Sequence, residues 1–315
     1  MKKIDISNIS KYGIFVALIS LIIFFSFSSS VFLSSNNIMN ILRQVSVIGI
    51  ATVGATFIIL TGGIDLSVGS VIGVSVVLTA QLMVWGLNPL LASVISLIMG
   101  IVLGLFNGFV INEVRIPPLI TTLGSMTALR GLAYLITDGL PVFGFTPSFQ
   151  HLAQDSIFGI PIPVVIMVII FLLGYLVLHK TIFGRHVYGV GGNEEAARLS
   201  GVNVKSVKYA AYAIAGFTAA LAGVVLLSRI NSGQPQAGTG YEMDIITAVV
   251  LGGVSITGGE GKVVGTIVGV LIMGVLANGM ILLNVGDYYQ MILKGAVLLV
   301  AVGLDQLSKG RTACN

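Results

Sequence analysis

Charge is what this sequence has least of. Only 9% of its 315 residues are Asp, Glu, Lys or Arg, while 56% are apolar; a soluble domain carries about 25% charged residues. A water-facing globule is therefore disfavoured, and so is the two-domain division that the length would suggest for a soluble chain. Cysteine occurs once, as Cys314, which excludes an intrachain disulfide framework and a cysteine-based metal cluster. The three histidines, His151, His179 and His186, do not stand at metal-ligand spacing, so neither a zinc site nor any other bound metal or cofactor is expected. Proline is scarce, 8 residues against 40 glycines. With a mean hydropathy of +1.03, that balance fits a polytopic membrane protein rather than a fibre or a disordered chain. The isoelectric point near 9.2 comes from a net charge of only +4 and gives no reason to expect a nucleic-acid partner.

Catalytic signatures are missing too. Gly261-Lys262 is followed by Val263, where a phosphate-binding loop needs Ser or Thr, and Ile256 stands where its first glycine belongs. In Gly189-Val190-Gly191-Gly192 the third glycine of a dinucleotide fingerprint is replaced by Glu194. There is no H-E-x-x-H, no G-x-S-x-G and no pair of carboxylates on one face of an apolar helix. The chain reads as a non-enzyme. If the chain takes part in active transport, the energy must come from another chain or from an ion gradient.

What is present is a succession of apolar stretches of about 20 residues, the length of a membrane-spanning helix. The first, Tyr12 to Leu33, follows the basic residues Lys2, Lys3 and Lys11 and lacks a small-residue cleavage site, so it reads as a retained span. Others fall at 41–60, 66–85, 89–111, 117–137, 162–179, 207–228, 245–257, 263–283 and 287–304. The expected fold is an all-α polytopic membrane protein of about ten spans forming one transmembrane domain over 1–315. Lys and Arg concentrate in the segments that a cytoplasmic N-terminus would place inside, among them Arg115, Lys180, Arg185, Arg198, Lys205, Lys208, Lys262, Lys309 and Arg311. The 138–161 loop has none. The positive-inside bias thus puts both termini and the 181–206 loop in the cytoplasm, and the 138–161 loop outside.

Two glycine-rich interruptions read as broken helices. One runs from Thr61 to Ser70 and contains Gly62, Gly63, Asp65 and Ser67; the other runs from Gly252 to Gly261 and contains Gly253. Gly69-Ser70-Val71-Ile72-Gly73 and Gly265-Thr266-Ile267-Val268-Gly269 follow them in parallel, a trace of the internal repeats from which transporters are built. Irregular backbone inside a bilayer must be shielded by protein or face water, so both breaks are expected to border a translocation path. The competing reading makes them tight cytoplasmic turns.

The 181–206 loop contains a short helix signature. Asn193 is a good N-cap, Glu194 and Glu195 put negative charge in the first turn, Arg198 stands near the last, and Gly201 suits the left-handed position beyond it. Two turns are unstable alone in water. Ala196, Ala197 and Leu199 offer a small apolar surface that could complete the helix by docking into a partner's groove; a plain surface helix is the alternative.

At Glu194-Glu195-Ala196-Ala197-Arg198-Leu199-Ser200-Gly201 the sequence resembles the coupling segment of ABC importer permeases. Leu60–Ser70, Gly233–Asp244 and Asp287–Lys294 resemble motifs of the ribose-type monosaccharide permease family, in order and at family spacing over about residues 12–308. The resemblance implies a permease subunit of an ATP-driven importer in the bacterial cytoplasmic membrane. It also implies a second permease copy, an ATPase with two nucleotide-binding domains docked on Asn193–Gly201, and a periplasmic or extracellular sugar-binding protein. The substrate it implies is a monosaccharide, ribose or a similar sugar. The C-terminal Leu307–Asn315 and the outside loop lie beyond the match; in that loop Phe143, Phe145, Phe149 and Phe158 offer surface to a binding protein.

Sugars need hydroxyl-matching polar groups and flat apolar surfaces. Path candidates are Gly62, Gly63, Asp65, Ser67, Ser70, Asn107, Gly252, Gly253, Asn278, Tyr288 and Tyr289, with Asn40, Gln44 and Gln290 as further polar residues, each of which could instead hold helices together. Asp65 can cap the following helix through the amides of Ser67 or Val68. Arg130, on one face with Tyr134 and Asp138, is either a snorkelling or a pore residue, and Lys294, two turns from Asp287, a structural pair or a vestibule residue. Trp85 reads as an interfacial anchor; Gly265, Gly269, Gly274 and Gly279 read as sites of close helix packing. An ion-coupled secondary transporter is the main competing function, against which stand the scarcity of buried carboxylates and the docking helix. An integral membrane enzyme has no catalytic constellation to support it.

Overall fold

The computed structural model describes residues 6–145 and 147–312. Lys2, Lys3 and Cys314 lie outside the described residues, as do the side chains of Lys11, Lys309 and Arg311. The order is α1 (Ile6–Ser28), α2 (Ser35–Leu60), α3 (Val68–Val84), α4 (Pro89–Phe109), α5 (Pro118–Thr137), α6 (His151–Gln154), β1 (Ser156–Ile157), β2 (Ile160–Pro161), α7 (Ile162–Lys180), α8 (Ile182–Gly192), α9 (Glu194–Leu199), α10 (Val204–Ile230), α11 (Tyr241–Leu251), α12 (Val263–Leu282) and α13 (Asp287–Thr312). Among the described residues six helices are long and apolar enough to cross a membrane: α2, α4 with its π-helical extension Val110–Val114, α5, α7, α10 and α12. Gly13–Ser28 and α3 are shorter apolar helices.

Local sequence sets the ends. Ser34, Asn88, Thr181, Asn193 and Asn203 each accept a backbone N–H of the first turn that follows, satisfying donors the helix itself cannot. Pro89 and Pro118 sit at first-turn positions, where a missing N–H costs nothing. Arg115, Asp138 and Asn231 adopt left-handed conformations at helix ends.

The helices differ from expectation at two places. Residues 245–257 are only partly helical, because α11 starts earlier, at Tyr241, and ends at Leu251, leaving 252–262 non-helical. The stretch from 184 to 192 is not a loop but most of α8; Val187 and Val190, one turn apart, are buried and pin it to the bundle despite four glycines. Residues 231–240, outside the expected spans, form a third irregular segment beside the two breaks.

The core centres on α2 and α10, which pack against each other and, with α3 and α4, make the most extensive helix contacts. Glycine permits the close approaches. Gly100 and Gly216 face each other's backbone between α4 and α10, and Gly104 faces the carbonyl of Tyr212. The two repeat-like stretches behave alike: Gly69 and Gly73 of α3 meet the carbonyls of Gly238 and Ala237, while Gly265 and Gly269 of α12 meet those of Gly252 and Ala248. Gly274 faces Val45 and Gly279 faces the Phe25 ring. Trp85 is exposed at the end of α3.

Candidate functional site: a joint between broken helices

At one end of the bundle the two breaks meet. Gly259 donates its N–H to the carbonyl of Leu60 at 3.0 Å, and any Cβ on Gly258 would run into the backbone of Gly62. The end of α8 lies on the same junction. A Cβ on Gly191 would strike the Leu60 carbonyl and the Gly259 amide, and Tyr188 donates its hydroxyl to the carbonyl of Gly261 at 2.9 Å. Burial pushes the Tyr188 phenol above its ordinary pKa, so it remains a donor at neutral pH. Gly62, Gly253, Gly258, Gly259 and Gly261 all have positive φ, which only glycine adopts cheaply.

Beside this joint a polar chain fixes the start of α3. Asp65 Oδ1 accepts the Ser67 N–H at 2.7 Å and the Ser67 hydroxyl at 2.6 Å. Asn107 Nδ2 donates to Ser67 Oγ at 3.0 Å, and Ser125 Oγ donates to Asn107 Oδ1 at 2.5 Å. The expected bond from the Ser67 amide to Asp65 is therefore present, at the residue just before α3, and it belongs to a network joining α3, α4 and α5. Ser70 donates to the Met126 carbonyl and Thr122 to that of Ile64. Tyr212, buried nearby with its hydroxyl about as close to a Gly63 Cβ as contact allows, has no hydrogen-bond partner for that hydroxyl among the described residues.

The joint leads directly to α9. Asn193 accepts the Ala196 N–H at 2.9 Å, Gly201 has φ +84°, and the helix is the one the sequence foreshadows. Its faces divide differently from expectation. Ala197 is buried against the protein's own body, and Glu194 bonds Arg198 at 3.1 Å and Lys208 of α10 at 2.8 Å. Glu195 pairs with Arg198. Leu199, 82% exposed, and Ala196 face outward.

The third irregular segment, 231–240, lies along α3. Gly233 abuts Ala80, Ala237 abuts Gly73 and Gly238 abuts Gly69, so it follows α3 for about 16 Å at 1.5 Å per residue. Arg130 Nη1 holds it from α5, donating to the carbonyls of Pro235 at 3.1 Å and Ala237 at 2.8 Å. Arg130, half-buried, thus clasps backbone carbonyls of this segment. At the end of the segment the Glu242 carboxylate lies against Gly69 and accepts the Gly240 N–H. Lys294 forms a pair, as one reading held, but with Asp244 at 2.7 Å rather than with Asp287.

Of the path candidates, the structure thus brings together Gly62, Gly63, Asp65, Ser67, Ser70 and Asn107. Gly252 packs on Gly265 and Thr266, and Gly253 is exposed. Asn278 is elsewhere, in a reciprocal amide pair with Asn37 at 3.0 and 2.9 Å. Tyr288 and Tyr289 are exposed at the start of α13 and outside the network. Phe145 and Phe149 are buried edge to face, leaving Phe143 and Phe158 at the surface of their loop. Sequence reasoning missed Gly191, Tyr212, Glu242 and Asp244 as structural members of this region; the four-residue spacing of Gly69 and Gly73 and the carboxylates beside apolar runs were the available signals.

A family model described as "Branched-chain amino acid transport system / permease component" matches residues 37–302. The ribose import permease protein RbsC of Bacillus subtilis is 47% identical over 298 residues, 94% of this chain and 92% of that protein. RbsC of Escherichia coli K12 is 45% identical over 294 residues, 92% of each. The D-allose transport system permease protein AlsC of the same organism is 38% identical over 299 residues, 94% of this chain and 92% of that protein. No solved structure matches.

Proposed function

The chain belongs to this permease family, and on that premise we propose that it is the transmembrane subunit of an ATP-driven importer that carries ribose across the bacterial cytoplasmic membrane. The observation that carries the reading is identity of 47% to a ribose import permease along 94% of the chain. The allose permease relative favours a second reading, a different monosaccharide moved by the same machinery.

In this reading the protein is a single permease domain of ten spans with both termini cytoplasmic, the 181–206 loop inside and the 138–161 loop outside. Two copies enclose the path. A separate ATPase docks on Asn193–Gly201, chiefly on Leu199 and Ala196, whose exposure supports this. A sugar-binding protein delivers substrate at the opposite end. The junction of Leu60–Gly62, Gly191 and Gly258–Gly259 supports a coupling route, because α8 touches both breaks and runs straight into α9. Gly62, Gly63, Asp65, Ser67, Ser70, Asn107, Gly252 and Gly253 would border the path near its inner end. Asn278, Tyr288 and Tyr289 would act further out.

The test is uptake of labelled ribose by proteoliposomes holding the permease, its ATPase and its binding protein. ATP-dependent uptake, competed by excess ribose more strongly than by allose, is expected. Uptake driven by a proton or sodium gradient without ATP would overturn the importer reading in favour of a secondary transporter.

A further inference from the structure

At the end of the bundle away from α9, a cavity of about 460 Å³ opens between α2, α6 and α10, lined by Asn40, Arg43, Ala153, Gln154 and Arg229. Two guanidiniums share it and repel one another. Among the described residues neither has an ion-pair partner. Arg43 Nη2 donates to the Gln154 carbonyl at 3.2 Å, but its Nε is buried with no acceptor. The group near Arg229 is the Tyr241 phenol, uncharged at neutral pH. Asp155, the nearest carboxylate along the loop, pairs with His151 at 3.1 Å instead. A buried donor left unmade is costly, and two like charges around one cavity add to that cost; an incoming oxyanion removes both.

The surroundings indicate which oxyanion. Only Ala153 among the lining residues is apolar, so a phospholipid would find a seat for its phosphate and none for its chains. Directly after Gln154 the β1–β2 hairpin presents Ile157, Ile160 and a fully exposed Phe158 held at φ +52°. A cationic cleft with an exposed aromatic four residues along the chain from its lining Gln154 has the composition of a protein interface, where arginines and aromatics dominate the energy.

We propose that Arg43 and Arg229 form a clamp for an acidic side chain of the substrate-delivering protein, with Phe158 as the neighbouring apolar anchor. This rests on the import reading above, which puts that protein at this end. Bidentate guanidinium–carboxylate geometry gives the clamp its directionality, and burying the carboxylate between two arginines neutralises their repulsion.

The experiment measures docking of the purified substrate-binding protein to the full permease–ATPase complex in nanodiscs, at several salt concentrations. Arg43→Gln and Arg229→Gln should each weaken docking roughly tenfold and flatten its salt dependence. Arg43→Lys, which keeps the charge but not the bidentate fork, should keep the salt dependence while losing part of the affinity, and Phe158→Ala should weaken docking with the salt dependence kept. Melting temperature checks that each variant is folded, and the salt slope is read only on folded complexes. Unchanged affinity and slope in the Arg43→Gln/Arg229→Gln double variant overturn the proposal. So does an arginine effect that appears only on changing neutral lipid to phosphatidylglycerol, which would mark a lipid site. A wild-type complex that docks no binding protein overturns the import reading and the clamp together.

Discussion

Leu60 and Gly259 share one backbone hydrogen bond of 3.0 Å, and through it two breaks from opposite halves of the chain become a single joint. Gly191 of α8 closes on both partners of that bond. In the coupling route proposed above, movement of α9 would reach both breaks at once through this contact.

Gly191→Ala is expected to disrupt the joint, because the added methyl meets backbone rather than a side chain that can turn away. Gly189→Ala, on the same helix with open space around it, should leave folding intact and add about 0.5–1 kcal/mol of helix stability. Thermal stability of the purified permease and uptake per assembled complex separate the two. Equal behaviour of both variants would make the junction incidental.

The α9 helix gives a pair of contrasting substitutions. Leu199→Asp alters an exposed side chain and should uncouple ATP hydrolysis from uptake while the permease stays folded. Ala197→Asp puts a charge into the protein's own packing, and should lower permease yield before any effect on the ATPase can be measured. Normal ATPase stimulation in the Leu199→Asp complex would remove α9 from the docking surface.

Asp244 and Lys294 form a largely buried pair. Removing one partner strands the other, at a cost of about 3 kcal/mol. Lys294→Met alone should lower the melting temperature sharply, and adding Asp244→Asn should recover much of it. Additive losses in the double variant would show that the two groups act separately.

Sidedness is checked with single cysteines at Ser148 and Ser206, both exposed, in a Cys314→Ala background. An impermeant thiol reagent applied from outside should label the first and spare the second in sealed cells. Labelling of both from one side contradicts the topology read from the positions of Lys and Arg.

Helix placement and caps were largely legible in the sequence, because apolar run length and the Ser, Thr and Asn caps are local signals. Asp65 capping Ser67 and the Asn193–Gly201 helix followed from local chemistry in the same way. What the sequence did not reveal depends on contacts between distant segments. Nothing local shows that Lys294 would choose Asp244 over Asp287, that Asn278 would pair with Asn37, or that Ala197 would face inward. Residues 231–240 were legible as lying outside the spans, but not where they sit: besides turns of their own, their irregular backbone is held by Arg130 from α5 and rests on glycines of α3.

The contact between α3 and the 231–240 segment is largely backbone on backbone, carbonyls of Ala237 and Gly238 resting on Gly73 and Gly69. Such a surface has few rotamers to rearrange. If the two parts shift during a transport cycle they slide as rigid rails, with little side-chain entropy lost or regained at each stroke. The same bareness leaves little slack for repair: a methyl group placed on either glycine meets a backbone carbonyl, even where the Glu242 carboxylate beside Gly69 or the Arg130 guanidinium beside Gly73 turns away.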